Sequence, residues 1–222
     1  VYTGLVGFGL APNHKIIDIA CGTGLAGGPL AENNYDVTGV DLSTQMIERA
    51  RKRYPQARFV EASALKLPFD SESFDFAISG QAFHHFDRTV AMREALRVVR
   101  PGGGIAIWWK YLMSDDPVKI ARDETTRELG FEPVQSGLIG GFKEFYAAPL
   151  REHSLRVVPW RVAQPLSKYM EYEKSRASVR EALGPTADAY FLRLENRLAE
   201  RSGQRDPVLS LSFMHYVYLG KK

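Results

Sequence analysis

Ile16-Ile17-Asp18-Ile19-Ala20-Cys21-Gly22-Thr23-Gly24 reads as an apolar strand holding one acid, then a glycine turn, then the start of a helix. A second apolar run, Tyr35 to Val40, ends in Asp41. Glycines at a strand end let a ligand lie against backbone N–H groups, and an acid at the next strand end is placed to hold ribose hydroxyls. The pattern is that of a nucleoside-binding site at one edge of a sheet.

Working outward, the first half alternates strands with helices. Lys15 to Ala20, Tyr35 to Val40, Arg58 to Glu61, Phe74 to Ser79 and Ile105 to Trp109 are short apolar runs expected as strands. Between them, Gly24 to Asn33 reads as a helix. Ser43 is placed to cap a second helix with Met46, Ile47, Ala50 and Tyr54 on one face, stopped by Pro55. Asp87 is placed to cap a third, with Met92, Ala95, Leu96 and Val99 at helical spacing. The run Arg100-Pro101-Gly102-Gly103-Gly104 is expected to end it. Strands that alternate with crossover helices make a parallel sheet covered on both faces.

The second half differs. Asp116-Pro117 opens a helix to about Leu129, and residues 131–150 read as irregular, rich in glycine and aromatics. Leu155 to Val162 reads as a strand despite Pro159. Two helices follow, divided at Gly184-Pro185. The second carries Ala187, Tyr190, Phe191, Leu194 and Leu198 along one stripe. In Leu209 to Leu219, Leu209, Leu211 and Phe213 alternate with Ser210 and Ser212, the mark of a half-buried antiparallel strand.

The 222 residues carry a net charge of +3 and one cysteine, Cys21. No intrachain disulfide is possible, which fits a reducing, cytoplasmic setting. Arg49, Arg51, Lys52 and Arg53 are too short a basic run for nucleic acid, no apolar stretch approaches membrane length, and no Cys/His cluster has metal-ligand spacing. Cys21 in the turn is read as packing, and Asp115-Asp116 as helix capping.

Gly22-Thr23-Gly24-Leu25-Ala26-Gly27 matches G-x-G-x-x-G. Taken alone it admits a dinucleotide, whose pyrophosphate would sit on the helix N-terminus, or no ligand at all. Its surroundings point elsewhere. Asp18 to Gly24 resembles motif I of the class I S-adenosylmethionine (SAM)-dependent methyltransferases. An acid four residues before the first glycine would repel a pyrophosphate and suits the ammonium and sulfonium end of SAM. Asp41-Leu42-Ser43, Leu67-Pro68-Phe69 with Ser73-Phe74-Asp75, Gln81 to Asp87 with His84-His85-Phe86, and Arg97-Val98-Val99-Arg100-Pro101-Gly102-Gly103 resemble the family's later motifs, in order, over about Lys15 to Lys110. The similarity is closest to the ubiquinone-biosynthesis-type, small-molecule branch.

The resemblance implies a Rossmann-like α/β fold: seven mostly parallel strands, the last antiparallel, with helices on both faces and a helical cap from the C-terminal half. One domain, 1–222, would hold a SAM-binding core at 15–110 and acceptor-cap segments at 111–154 and 164–203. The family often has further N-terminal helices over SAM, so a shortened or omitted lid is expected before Val1. The resemblance assigns Asp18 to the methionine end of SAM, Asp41 to the ribose, and Ala20, Gly22 and Gly24 to close backbone approach. Leu42, Met46, Ser63, Ala64, Leu65 and Gly80 complete the donor site. Ser63 stands where relatives often have Asp for the adenine amine, so weaker cofactor binding is expected.

Methyl transfer from a sulfonium is an in-line displacement that needs a base only when the acceptor must lose a proton. His84 is the candidate catalytic residue, as a positioning group or a base. Trp108, Trp109, Tyr111, Phe142, Phe145 and Tyr146 are candidate pocket or core aromatics, and Tyr169, Tyr172 and Arg176 are within possible reach of the acceptor. The expected function is methylation of a planar or apolar small molecule, releasing S-adenosylhomocysteine. The alternatives are an NAD(P)-dependent oxidoreductase on the same turn and a SAM-binding protein without activity.

Overall fold

The computed structural model describes residues 2–133 and 142–222, so part of the segment expected to be irregular lies outside the described residues. The order is α1 (Tyr2–Gly7), β1 (Lys15–Ile19), α2 (Gly28–Glu32), β2 (Asp36–Asp41), α3 (Thr44–Arg53), β3 (Arg58–Glu61), β4 (Phe74–Gly80), α4 (Arg88–Val98) and β5 (Val99–Leu112). Then come α5 (Pro117–Glu128), α6 (Lys143–Tyr146), β6 (Glu152–Pro165), α7 (Leu166–Ser175), α8 (Ala177–Leu183), α9 (Ala187–Ser202) and β7 (Val208–Lys221).

The seven strands form one sheet in the order β3-β2-β1-β4-β5-β7-β6. The β3-β2, β2-β1, β1-β4 and β4-β5 pairs are parallel, with Asp18 opposite Gly39 on one side and Ile78 on the other. β7 runs antiparallel: Gly102 and Gly103 pair with Lys222, whereas Met113 pairs with Ser212. The doubly wound sheet with an antiparallel β7 is the expected fold.

The capping residues behave as their positions in the sequence require. Ser43 Oγ accepts from the Met46 N–H at 3.4 Å, Asp87 Oδ1 from Thr89 and Val90, and Asp116 Oδ1 from Val118 at 2.9 Å. Asp116 Oδ2 also accepts the Ser212 N–H at 2.6 Å, so this cap ties β7 to the start of α5.

Three expectations are corrected. The helix expected from Gly24 starts only at Gly28, because Gly24 has φ +80° and the Gly27 N–H is held by Asp18. The Pro101–Gly104 run does not separate helix from strand: β5 begins at Val99 and passes through it. Glycine is required there because a Cβ on Gly104 would lie 2.2 Å from the Phe76 ring, and one on Gly103 2.5 Å from the Asp75 carbonyl. The two helices expected after Gln164 are three, α7 breaking at Arg176 before α8.

The described residues fall into two compact units. One comprises those within Val1–Trp109, Leu138–Val158 and His215–Lys222, the other those within Lys110–Gly137 and Pro159–Met214. The first buries Ile16, Val37, Phe76, Ile78, Trp108 and Leu219 in a common core. The second buries the expected α9 stripe, Tyr190, Phe191, Leu194 and Leu198, with Leu211 and Phe213 of β7. Among the described residues no helix is long and apolar enough to cross a membrane.

Candidate functional site

In the parallel part of the sheet the strand order reverses between β1 and β4, and at such a switch point the loops beyond the carboxyl ends diverge and leave a crevice. The turn after β1 lies there. Ala20 and Gly22 have φ +56° and +54°, and Gly24 +80°, so the chain doubles back in the left-handed region. Below the turn, rings of Tyr54 and Phe59 would stand 2.9 and 3.2 Å from a Cβ on Gly24.

Two carboxylates hold this backbone. Asp18, 1% exposed, accepts the Gly27 N–H through Oδ2 at 2.8 Å, while Oδ1 is buried without a hydrogen-bond partner. Burial first, and Asp41 in addition, raise its pKa to about 7 against the lowering effect of the Gly27 bond. Asp41, at the end of β2, accepts Gly22 N–H through Oδ2 at 2.8 Å and Ser43 N–H through Oδ1 at 2.9 Å. Its carboxylate therefore fixes both the glycine turn and its own strand-to-helix loop, and it is only partly buried, leaving lone pairs for a ligand.

Beside Asp41 lies exposed apolar surface. Leu42 is 72% exposed, and Met46 and Leu65 also stand open. Glu61 pairs with Asp41 in register and the Ala62 N–H bonds the Asp41 carbonyl, so the Ser63–Leu65 segment leaves β3 alongside Leu42. Ser63 Oγ accepts the Leu65 N–H at 3.2 Å, and Ala64 is half-buried. Gly80, at the end of β4, backs onto Trp108, whose indole would lie 2.9 Å from a Cβ there. Cys21 packs with Ile47, Ala50, Tyr54 and Phe59, and burial pushes its thiol pKa up, as expected of a packing residue.

Residues 17–107 match the methyltransferase domain family. A demethylmenaquinone methyltransferase of Beutenbergia cavernae is 36% identical over 100 residues, 45% of this chain and 42% of that protein. The 27-O-demethylrifamycin SV methyltransferase of Amycolatopsis mediterranei is 32% identical over 181 residues, 77% of this chain and 63% of that protein. Residues 17–107 thus form a methyltransferase domain of the class I SAM-dependent kind. The chain spans about two fifths to three fifths of the length of these curated relatives. A chain from Anaeromyxobacter dehalogenans, provisionally described as a type II methyltransferase, superposes with a TM-score of 0.76 at 22% identity, covering 99% of this chain and 94% of that one, a likeness of fold.

The methyl donor of this family is SAM, and the dinucleotide reading of the same turn gives way to it. The residues fit the donor on three observations. Asp18 Oδ1 is an orphaned buried acceptor beneath the turn, Gly22 and Gly24 carry no side chains at two positions of the turn, and the exposed Leu42, Met46 and Leu65 offer an apolar surface of the kind an adenine covers.

His84, on the loop after β4, is oriented by a residue whose role is not visible in the sequence. Trp109 Nε1 donates to His84 Nδ1 at 3.0 Å. An indole N–H only donates, so the neutral imidazole carries its proton on Nε2. Burial of the ring, with His85 and Arg88 nearby, lowers its pKa to about 4, which keeps it neutral at pH 7. The group it presents is an N–H donor. His85 lies against it, ring centroids 3.9 Å apart.

Of the six aromatics that could be pocket or core, four are core and Tyr111 is half-buried. Trp108 and Trp109 are buried, the latter in a cluster with Phe142, Phe145 and Tyr218, and only Tyr146 of this group is exposed. In the second unit Tyr169 and Arg176 bond to the buried Glu173. Among the described residues no three of His, Cys, Asp or Glu are grouped to hold a metal ion.

The Trp109 bond has a direct readout. In ¹⁵N-resolved spectra at pH 7 the His84 ring is expected as the Nε2–H tautomer alone. Trp109→Phe is expected to give a mixture of tautomers and a pKa shifted upward toward the ordinary histidine value. An unchanged tautomer in the variant would remove Trp109 from this role.

Proposed function

We propose that the protein transfers the methyl group of SAM to a small planar or apolar acceptor, releasing S-adenosylhomocysteine. The observation that carries the reading is the glycine turn already folded by Asp41, with open apolar surface beside it. In this assignment Asp41 also holds the ribose hydroxyls, and Asp18 serves the cationic end of the donor. Ala20, Gly22, Gly24 and Gly80 give backbone access, Leu42, Met46 and Leu65 cover the adenine, and Ser63 and Ala64 line its edge.

When bound, SAM supplies an electrophilic methyl group with its own leaving group, so the protein's part is positioning. His84 Nε2–H is assigned as a donor that orients the acceptor, in preference to a base, because Nδ1 is already occupied by Trp109. Acceptor choice is assigned to the part of the chain beyond the family match, which ends at residue 107. The relatives support a small-molecule acceptor: by their names they act on demethylmenaquinone and 27-O-demethylrifamycin SV.

Calorimetry with S-adenosylhomocysteine and with NAD, followed by transfer of isotopically labelled methyl from SAM to a panel of small quinols and phenols, tests the reading. S-adenosylhomocysteine is expected to bind and NAD not to. Binding of NAD alone overturns the proposal. Donor binding with no labelled product from any acceptor returns the protein to a non-catalytic SAM-binding role.

A further inference from the structure

Lys110, the residue after Trp109 in β5, stands in an aromatic enclosure belonging wholly to the helical unit. Its Nζ lies 5.2 Å from the ring centroids of Tyr172 and Phe213 and 5.9 Å from that of Trp160. Trp160 and Phe213 are stacked at 5.4 Å. Phe213 is buried, but Trp160 and Tyr172 are 42% and 44% exposed, so the enclosure opens to solvent through two large flat rings.

The charge around it is unbalanced. The one carboxylate of the adjoining cluster is the buried Glu173, and it is fully committed. It pairs with Arg176 Nη1 at 3.0 Å and Arg122 Nε at 3.1 Å, and accepts from the hydroxyls of Tyr190 at 3.1 Å and Tyr169 at 3.4 Å. Arg122 and Arg176 thus share this one anion, and no ion pair with it reaches Lys110. Among the described residues the Lys110 ammonium makes no salt bridge or hydrogen bond. Burial and the nearby Arg176 both lower its ammonium pKa, a cost that an anionic ligand would relieve. Ring faces stabilise an ammonium without neutralising it, so an anion remains welcome at Nζ.

We propose that Lys110, Trp160 and Tyr172 form a subsite for a planar aromatic ligand bearing an anionic oxygen, the ring lying against Trp160 and Tyr172 and the oxygen pairing with Lys110 Nζ. The subsite lies wholly within the helical unit and names a ligand class of its own, an aromatic acid or an enolised or phenolic ring, whatever the fate of the methyltransferase reading. The chemistry is the reverse of what a purely apolar acceptor needs, since a hydrophobic ligand would leave the ammonium stranded beneath it.

The probes are 2-naphthoate and its uncharged analogue 2-naphthamide, titrated into the full chain with tryptophan fluorescence as the signal. The wild type is expected to bind 2-naphthoate about tenfold more tightly than 2-naphthamide. Lys110→Met is expected to abolish that preference, Lys110→Arg to keep most of it, and Trp160→Phe to remove most of the quenching. Equal binding of the two probes, an unchanged preference in Lys110→Met, or no binding of 2-naphthoate overturns the subsite. S-adenosylhomocysteine calorimetry on the same samples checks that each variant is folded. It also separates the two readings: its failure in the wild type would sink the methyltransferase assignment, while charge-selective naphthoate binding would still establish the subsite.

Discussion

Asp41→Ala is expected to weaken S-adenosylhomocysteine binding about a hundredfold, the loss of two or more hydrogen bonds to a charged acceptor. Two backbone donors, Gly22 N–H and Ser43 N–H, lose their acceptor together, and the assigned ribose contacts go with them. Both donors sit in partly exposed loops where water can replace the carboxylate, so the melting temperature should fall by only a few degrees. Asp41→Asn discriminates further. It keeps the shape, but its amide must turn an NH2 toward one of the two N–H donors, so it should rescue affinity only in part. Calorimetry on both variants is the measurement. Affinity within threefold of wild type in Asp41→Ala would show that the turn folds without it and that the ribose is held elsewhere.

Asp18 should make the protein's stability fall as pH rises through the acid range. Its pKa is about 7 in the folded chain against an ordinary 3.8. Between those values the folded state keeps a proton that the unfolded state has released, so unfolding free energy declines with pH across that window and levels off above it. A difference of this size corresponds to a few kcal/mol. Asp18→Asn retains an oxygen to accept the Gly27 N–H and carries no titrating group. Denaturant melts at pH 4, 5.5 and 7.5 should therefore show the variant losing less stability than wild type as pH rises. Parallel curves for the two proteins would mean that Asp18 is ionised in the folded state at low pH.

What the sequence shows of this molecule, and what it hides, follow from how local each determinant is. Ser43, Asp87 and Asp116 are legible as caps because the bonds they make close within three residues. The isoleucines of β1 are legible because a strand buried on both faces needs little else. The start of β5 is not. Pro101 to Gly104 carries every local mark of a break, yet the partner that completes its backbone bonding is Lys222, more than a hundred residues away. The third helix after Gln164 is hidden for a related reason. The break at Arg176 coincides with its pairing to Glu173, and Glu173 also gathers groups from α5 and α9.

The site divides in the same way. The residue types at positions 18 to 24 and 41 announce a nucleoside-type ligand, but not that Asp41 holds two loops at once. The tautomer of His84 depends on Trp109, 25 positions along the chain, and the setting of Lys110 on Trp160, Tyr172 and Phe213. Two of the aromatics counted as candidate pocket lining, Phe142 and Phe145, are wholly buried, because spacing alone does not tell a cavity wall from a core.

The way Asp41 is held bears on how a catalytic cycle would end. Its partners are neutral backbone donors, and among the described residues neither it nor Asp18 forms a salt bridge with a lysine or arginine. The Asp41 carboxylate therefore has no cationic side chain bonded to it among the described residues. A sulfonium is attracted to a carboxylate, and the thioether left after its methyl has gone is not. If the proposed assignment holds, loss of the methyl group removes the charge that Asp18 would face, so the spent product would be held less tightly than the donor.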